Sequence, residues 1–133
     1  MEITVTPEAF RLAEAFTISR GSRTEARVLT VRVTQDGVTG WGECVPYKRY
    51  DETPDSVAAQ ITALPQDLDR VLLAEIMAPG AARNAVDCAL WDLEAKRSGS
   101  RVWQLAGLAE PGPEITAFTL SLDTPDKMRA AAA

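Results

Sequence analysis

Histidine is absent from all 133 residues. That absence excludes, within this chain, a Ser-His-Asp triad, a Cys-His pair and a histidine-based zinc site. Cysteine is scarce: Cys44 and Cys88 have no paired spacing, which points to reduced thiols in a cytoplasmic protein. No apolar run approaches the ~18 residues of a membrane span, and the start has no charged n-region followed by an apolar h-region. Neither a span nor a secretory signal is read, so no membrane partner is expected. Positive charge is not in excess either. A net charge of −5 argues against a nucleic-acid partner, which requires a basic patch. What is present is a hydrophobic fraction of 46%, enough for one modest core and more than a disordered segment carries.

The pattern along the chain begins with β-type alternation. Ile3–Thr6 reads as a short strand closed by Pro7, and Phe10, Leu12, Phe16 and Ile18 continue in extended style. Ser19–Thr24 is small, polar and doubly basic, a loop by composition. Ala26–Thr34 carries Val28, Leu29, Val31 and Val33 and is the clearest strand. Asp36-Gly37 forms a hairpin turn, since glycine tolerates positive φ, and Val38–Cys44 returns. Three locally joined strands predict a small antiparallel meander. After a loop over Val45–Thr53, Thr53-Pro54-Asp55 opens a helix that runs to about Leu64 before Pro65. Asp67 caps a second short helix, and Pro79-Gly80 breaks it.

Ala81–Gly99 is the dominant helix. Wound at about 100° per residue, it places Arg83, Asp87, Glu94 and Arg97 on a solvent stripe, with an Arg83–Asp87 pair at i,i+4. Ala82, Ala85, Val86, Ala89, Leu90 and Leu93 form one apolar flank. Cys88, Trp91 and Ala95 form another, so the helix is packed on more than one side. Asp92 and Lys96 fall opposite the solvent stripe and read as an ion pair inside an interface. Gly99 is the stop. A turn over Val102–Leu105 precedes Glu110-Pro111-Gly112-Pro113, a linker that sets the domain boundary. Beyond it Ile115–Leu122 reads as a buried parallel strand, and Thr124-Pro125-Asp126 starts a helix, the first unit of a β/α repeat. The chain ends within that helix and reads as the front of a longer protein.

GWGEC (Gly40–Cys44) followed by the Ala82–Lys96 helix resembles the enolase superfamily, in its muconate-lactonising subgroup. FTISRGSRTEAR (Phe16–Arg27) and GECVPYKRYDE (Gly42–Glu52) resemble the dipeptide epimerases within it, of the L-Ala-D/L-Glu type. The resemblance spans nearly the whole chain. It implies an α+β capping domain over residues 1–113, with a three-stranded antiparallel meander and helices. Residues 114–133 are then the first strand and helix of a (β/α)7β TIM-like barrel domain. It further implies a racemase/epimerase chemistry: two lysines exchange the α-proton of the second residue, and Mg²⁺ held by three carboxylates stabilises the enediolate. Those lysines and ligands belong to later barrel strands, so no catalytic or metal residue is assigned in this chain, and the chain alone is expected to be inactive. What the resemblance assigns here is substrate binding. Arg23, and with it Arg20, match a basic position that meets a substrate carboxylate. Tyr47 and Tyr50 wall the pocket, and Thr119 on the first barrel strand faces the substrate. For each, the alternative is an ordinary surface or packing role.

The implied partners are a small dipeptide and the chain's own C-terminal barrel, with homo-oligomerisation left open. Two other readings stand beside the epimerase. One is a relative with the same cap and another anionic substrate, such as o-succinylbenzoate synthase or muconate cycloisomerase. The other is a non-catalytic α+β binding module, against which the unfinished strand edges speak.

Overall fold

The computed structural model describes residues 1–133 throughout. Three strands, β1 (Glu2–Ile18), β2 (Gly21–Gln35) and β3 (Val38–Cys44), form one sheet in the order β1-β2-β3. Five helices follow: α1 (Pro54–Thr62), α2 (Arg70–Ile76), α3 (Ala81–Ser98), α4 (Val102–Leu105) and α5 (Pro125–Ala131). The expected meander is present, and so is the expected run of helices. The chain divides into two compact units, Met1–Glu8 with Val28–Pro111, and Ala9–Arg27 with Gly112–Ala133.

In the first unit β2 and β3 pair antiparallel, with Val31 opposite Gly42 and Val33 opposite Gly40. Their turn is Asp36-Gly37, both at positive φ (52° and 79°), as a tight hairpin requires. Leu29, Val31 and Val33 alternate inward from β2 and are fully buried. Against them lie Ala82, Ala85, Val86, Ala89, Leu90 and Leu93, the flank expected of α3, together with Val57 and Ile61 of α1 and Leu73 of α2. The closest approach is between β3 and α3. A Cβ at Gly40 would fall 2.0 Å from the backbone oxygen of Ala89, and one at Gly42 1.9 Å from that of Ala85. Two glycines two residues apart and two alanines four apart therefore bring helix and strand backbones into contact. Thr53 caps α1 through a reciprocal box with Ser56, and Gly99 ends α3 in the left-handed region at φ 69°.

Several expectations fail in instructive ways. Pro7 does not close the first strand: β1 continues through it, because an edge strand tolerates a residue with no N–H to donate. The cap of α2 is Asp69, accepting from Leu72 N at 2.7 Å, rather than Asp67. Arg83 does not pair with Asp87; its guanidinium reaches the Met77 carbonyl. Asp92 and Lys96 do pair, at 2.6 Å, but their side chains are 33% and 44% exposed, so the interface position is a rim.

The second unit contains the β1–β2 hairpin end, residues 112–124 and α5. The strand expected over Ile115–Leu122 does not form. The segment makes one backbone–backbone hydrogen bond, from Leu122 N–H to Thr17 O at 2.9 Å, and leaves Ile115 and Phe118 exposed. Apolar β-formers become a strand only when neighbours supply a ladder on their edges. The expected helix start is met: Pro125 occupies the first turn of α5 after Thr124. No helix is long and apolar enough to cross a membrane.

Candidate functional site

The expected pocket residues fall in both units. Tyr47 and Tyr50 belong to the first, in the connection from β3 to α1. Thr53-Pro54 fixes the end of that connection and Cys44 its start. Between them a single 3₁₀ turn, Lys48–Tyr50, forms, with Tyr50 N–H donating to Tyr47 O at 2.8 Å. Asp51 closes it at φ 57°, a left-handed conformation that aspartate tolerates better than most residues. The turn sets the two phenol rings with centroids 5.9 Å apart and tilted by 49°. Both rings line a cavity of about 500 Å³, together with Cys44, Val45, Glu52, Gly80 and Asn84.

Glu52 organises this cavity, and sequence reasoning missed it. One carboxylate oxygen accepts from Ala81 N at 2.7 Å and the other from Tyr47 N at 3.1 Å. The first bond satisfies an otherwise orphaned amide at the start of α3, where Gly80 has no side chain to act as a cap. The signal available in the sequence was that missing cap. It shows that a partner is needed without saying that residue 52 supplies it. Cys44 sits beside this carboxylate. Burial first, then Glu52 and Glu43, push its thiol up to about 11, so it is protonated at neutral pH and unfit as a nucleophile.

Arg20, Arg23 and Thr119 belong to the second unit. The basic loop expected over Ser19–Thr24 shrinks to a turn at Ser19-Arg20, and β2 already begins at Gly21. Arg20 is therefore at the hairpin tip and Arg23 on a strand, both exposed. The Arg23 guanidinium lies over the Phe16 ring, 5.5 Å from its centroid, a cation–π contact that steadies the side chain without consuming its donors. Neither arginine is paired with a carboxylate. Thr119 is exposed and no hydrogen bond joins it to either arginine. Ser121, two residues on, is the residue that engages: its Oγ accepts from Thr17 N at 2.9 Å and donates to Ala15 O at 3.3 Å.

The chain thus offers two phenols and an apolar wall in one unit and an unpaired, steadied guanidinium in the other. No three of its Asp, Glu, Cys or His side chains converge as metal ligands, so the residues present do not fit a Mg²⁺ site.

Residues 1–107 match the family model described as mandelate racemase / muconate lactonizing enzyme, N-terminal domain. The chain is 46% identical over 130 residues to the L-Ala-D/L-Glu epimerase of Escherichia coli K12, covering 95% of this chain and 40% of that protein. An enolase-family structure from Agrobacterium tumefaciens, with homology to dipeptide epimerases and solved with sodium and L-Ala-L-Glu, superposes with a TM-score of 0.87. It is 50% identical and is matched over 97% of this chain and 41% of its own. The dipeptide epimerase of Enterococcus faecalis V583, solved with Mg and L-Leu-L-Tyr, gives a TM-score of 0.80 at 28% identity, over 98% of this chain and 40% of its own. The chain spans about 40% of the length of the relatives it matches.

Proposed function

The chain belongs to the mandelate racemase / muconate lactonizing enzyme family, as its N-terminal domain, and from that premise we propose that it is the specificity-bearing part of a cytoplasmic dipeptide epimerase. The observation that carries this reading is the 46% identity, along nearly the full chain, with an L-Ala-D/L-Glu epimerase. The substrate is a dipeptide with an acidic second residue, whose α-proton is removed from one face and returned to the other. Residues 1–113 act as the cap and 114–133 as the entry to the barrel. The bases that move the proton, and the Mg²⁺ seen with a relative, lie outside this chain. Arg23 supplies the local support. An unpaired guanidinium steadied on Phe16 suits a bidentate grip on the substrate's carboxylate, with Arg20 three residues before it, while Tyr47 and Tyr50 wall the cavity of the first unit and Thr119 is a hydroxyl offered to the substrate.

The test is Arg23→Met in the full-length enzyme, assayed with L-Ala-L-Glu and with a dipeptide whose second residue is neutral. Losing a charged partner in a water-poor pocket costs about 2–5 kcal/mol, roughly thirty-fold or more. Most of it should appear in KM, since a remote grip acts on ground and transition states alike. A preferential loss on the acidic substrate is expected. Equal losses, or none, would remove Arg23 from recognition.

A further inference from the structure

We propose that Glu52 is a positioning residue for substrate recognition: its carboxylate latches the Tyr47–Tyr50 turn to the start of α3 and so fixes the wall of the cavity. The proposal rests on the reading of that turn as a specificity segment. Three separate features of the molecule converge on it. One Glu52 oxygen accepts from Tyr47 N and the other from Ala81 N, so a single side chain bridges the turn and the helix. The helix end it meets has a glycine at the capping position and no side-chain cap of its own. A Cβ on Gly80 would stand 3.1 Å from the same carboxylate oxygen, so the absent side chain leaves the space that Glu52 occupies. A negative charge at the start of an 18-residue helix is also favoured by the helix dipole.

The turn has little else to hold it. Its internal bonds, Tyr50 N–H to Tyr47 O and Asp51 N–H to Lys48 O, shape the turn but tie it to nothing. None of its residues is buried, and the Tyr50 side chain is largely exposed. A turn of that kind samples many positions unless one anchor restrains it. Glu52 adjoins it in sequence and is fixed at its far end by α3, which is itself packed into the core through Ala82, Ala85 and Val86. Both carboxylate oxygens already accept a backbone bond, so Glu52 shapes the cavity through the tyrosine turn that it holds. Glutamine at this position keeps one acceptor and turns an N–H toward the other amide, so it breaks half of the bridge at nearly constant shape.

The experiment compares wild type, Glu52→Gln and Glu52→Ala in the full-length protein, by amide hydrogen exchange and by steady-state kinetics on L-Ala-L-Glu. The expected result is at least tenfold faster exchange at Tyr47 and Ala81 in Glu52→Ala, with the β2–β3 ladder at Val31 and Val33 unchanged. KM should rise about tenfold or more while kcat stays within about threefold, and Glu52→Gln should fall between the two. A loss of stability alone would instead speed exchange across the ladder and lower active enzyme without moving KM. Unchanged exchange at both amides would overturn the latch. Faster exchange with unchanged KM would overturn its part in recognition. A wild-type enzyme that turns over no dipeptide would overturn the functional reading instead, and the exchange rates would still decide the latch.

Discussion

Asp92 and Lys96 close the free edge of β3. Trp41 N–H donates to Asp92 Oδ2 at 2.8 Å, Lys96 Nζ donates to the Thr39 carbonyl at 2.9 Å, and the two side chains meet at 2.6 Å. An unpaired strand edge is a template for association, and here two side chains of α3 occupy backbone groups that a further strand would use. The pair spaced i,i+4 was readable from the helix; its partners on β3 were not, because nothing local relates residue 92 to residue 41. Since both side chains keep part of their hydration, Asp92→Ala should cost about 1–2 kcal/mol by loss of one charged hydrogen bond and a partly screened pair. A fully buried pair would cost about 3–5 kcal/mol. Urea unfolding of the intact protein distinguishes the two. A loss below about 0.5 kcal/mol, the range of ordinary surface changes, would mean that the edge contacts do not form in solution.

Between α3 and β3 the deciding feature is what is missing from the strand. With a methyl group at residue 42 placed 1.9 Å from the Ala85 oxygen, and the next nearest atoms also backbone, nothing flexible can yield. Gly42→Ala must push α3 off the sheet and should cost about 3 kcal/mol, as severe overpacking does. A change in denaturant midpoint smaller than about 0.5 kcal/mol would contradict the close packing. Most elements were legible in sequence for local reasons: Asp36-Gly37 as a turn, Thr53-Pro54 as a helix start, and the small and apolar flank of Ala82 to Leu93 as the packed face. Elements depending on distant neighbours were not. Pro7 sits inside β1 because that strand is an edge. Ile115–Leu122 has strand chemistry but no ladder. Asp69 caps α2 where Asp67, two residues earlier, offered the same chemistry. In the candidate site the tyrosines and Arg23 were singled out only through resemblance to a known specificity segment, and their role is the one proposed above. Glu52 was not, since its role depends on a helix end that follows it by 29 residues.

One unit holds a tyrosine-walled cavity of about 500 Å³ and the other an unpaired guanidinium. The thiol lining the cavity is protonated and no metal-ligand cluster exists in the chain. Epimerisation needs a base to take the α-proton and a counter-charge for the resulting enediolate. Under the proposed reading, recognition falls to these residues and proton transfer to parts of the protein outside residues 1–133; the relatives are about two and a half times as long, the chain covering 40% of one of them. The direct measurement is deuterium uptake at the glutamyl α-carbon of L-Ala-L-Glu, followed by NMR in D₂O with Mg²⁺. Residues 1–133 alone and the full-length protein are run in parallel. The full-length protein should exchange that proton and produce the second diastereomer, while residues 1–133 stay at the buffer rate. Exchange by residues 1–133 above buffer, or none by the full-length protein, would contradict the assignment.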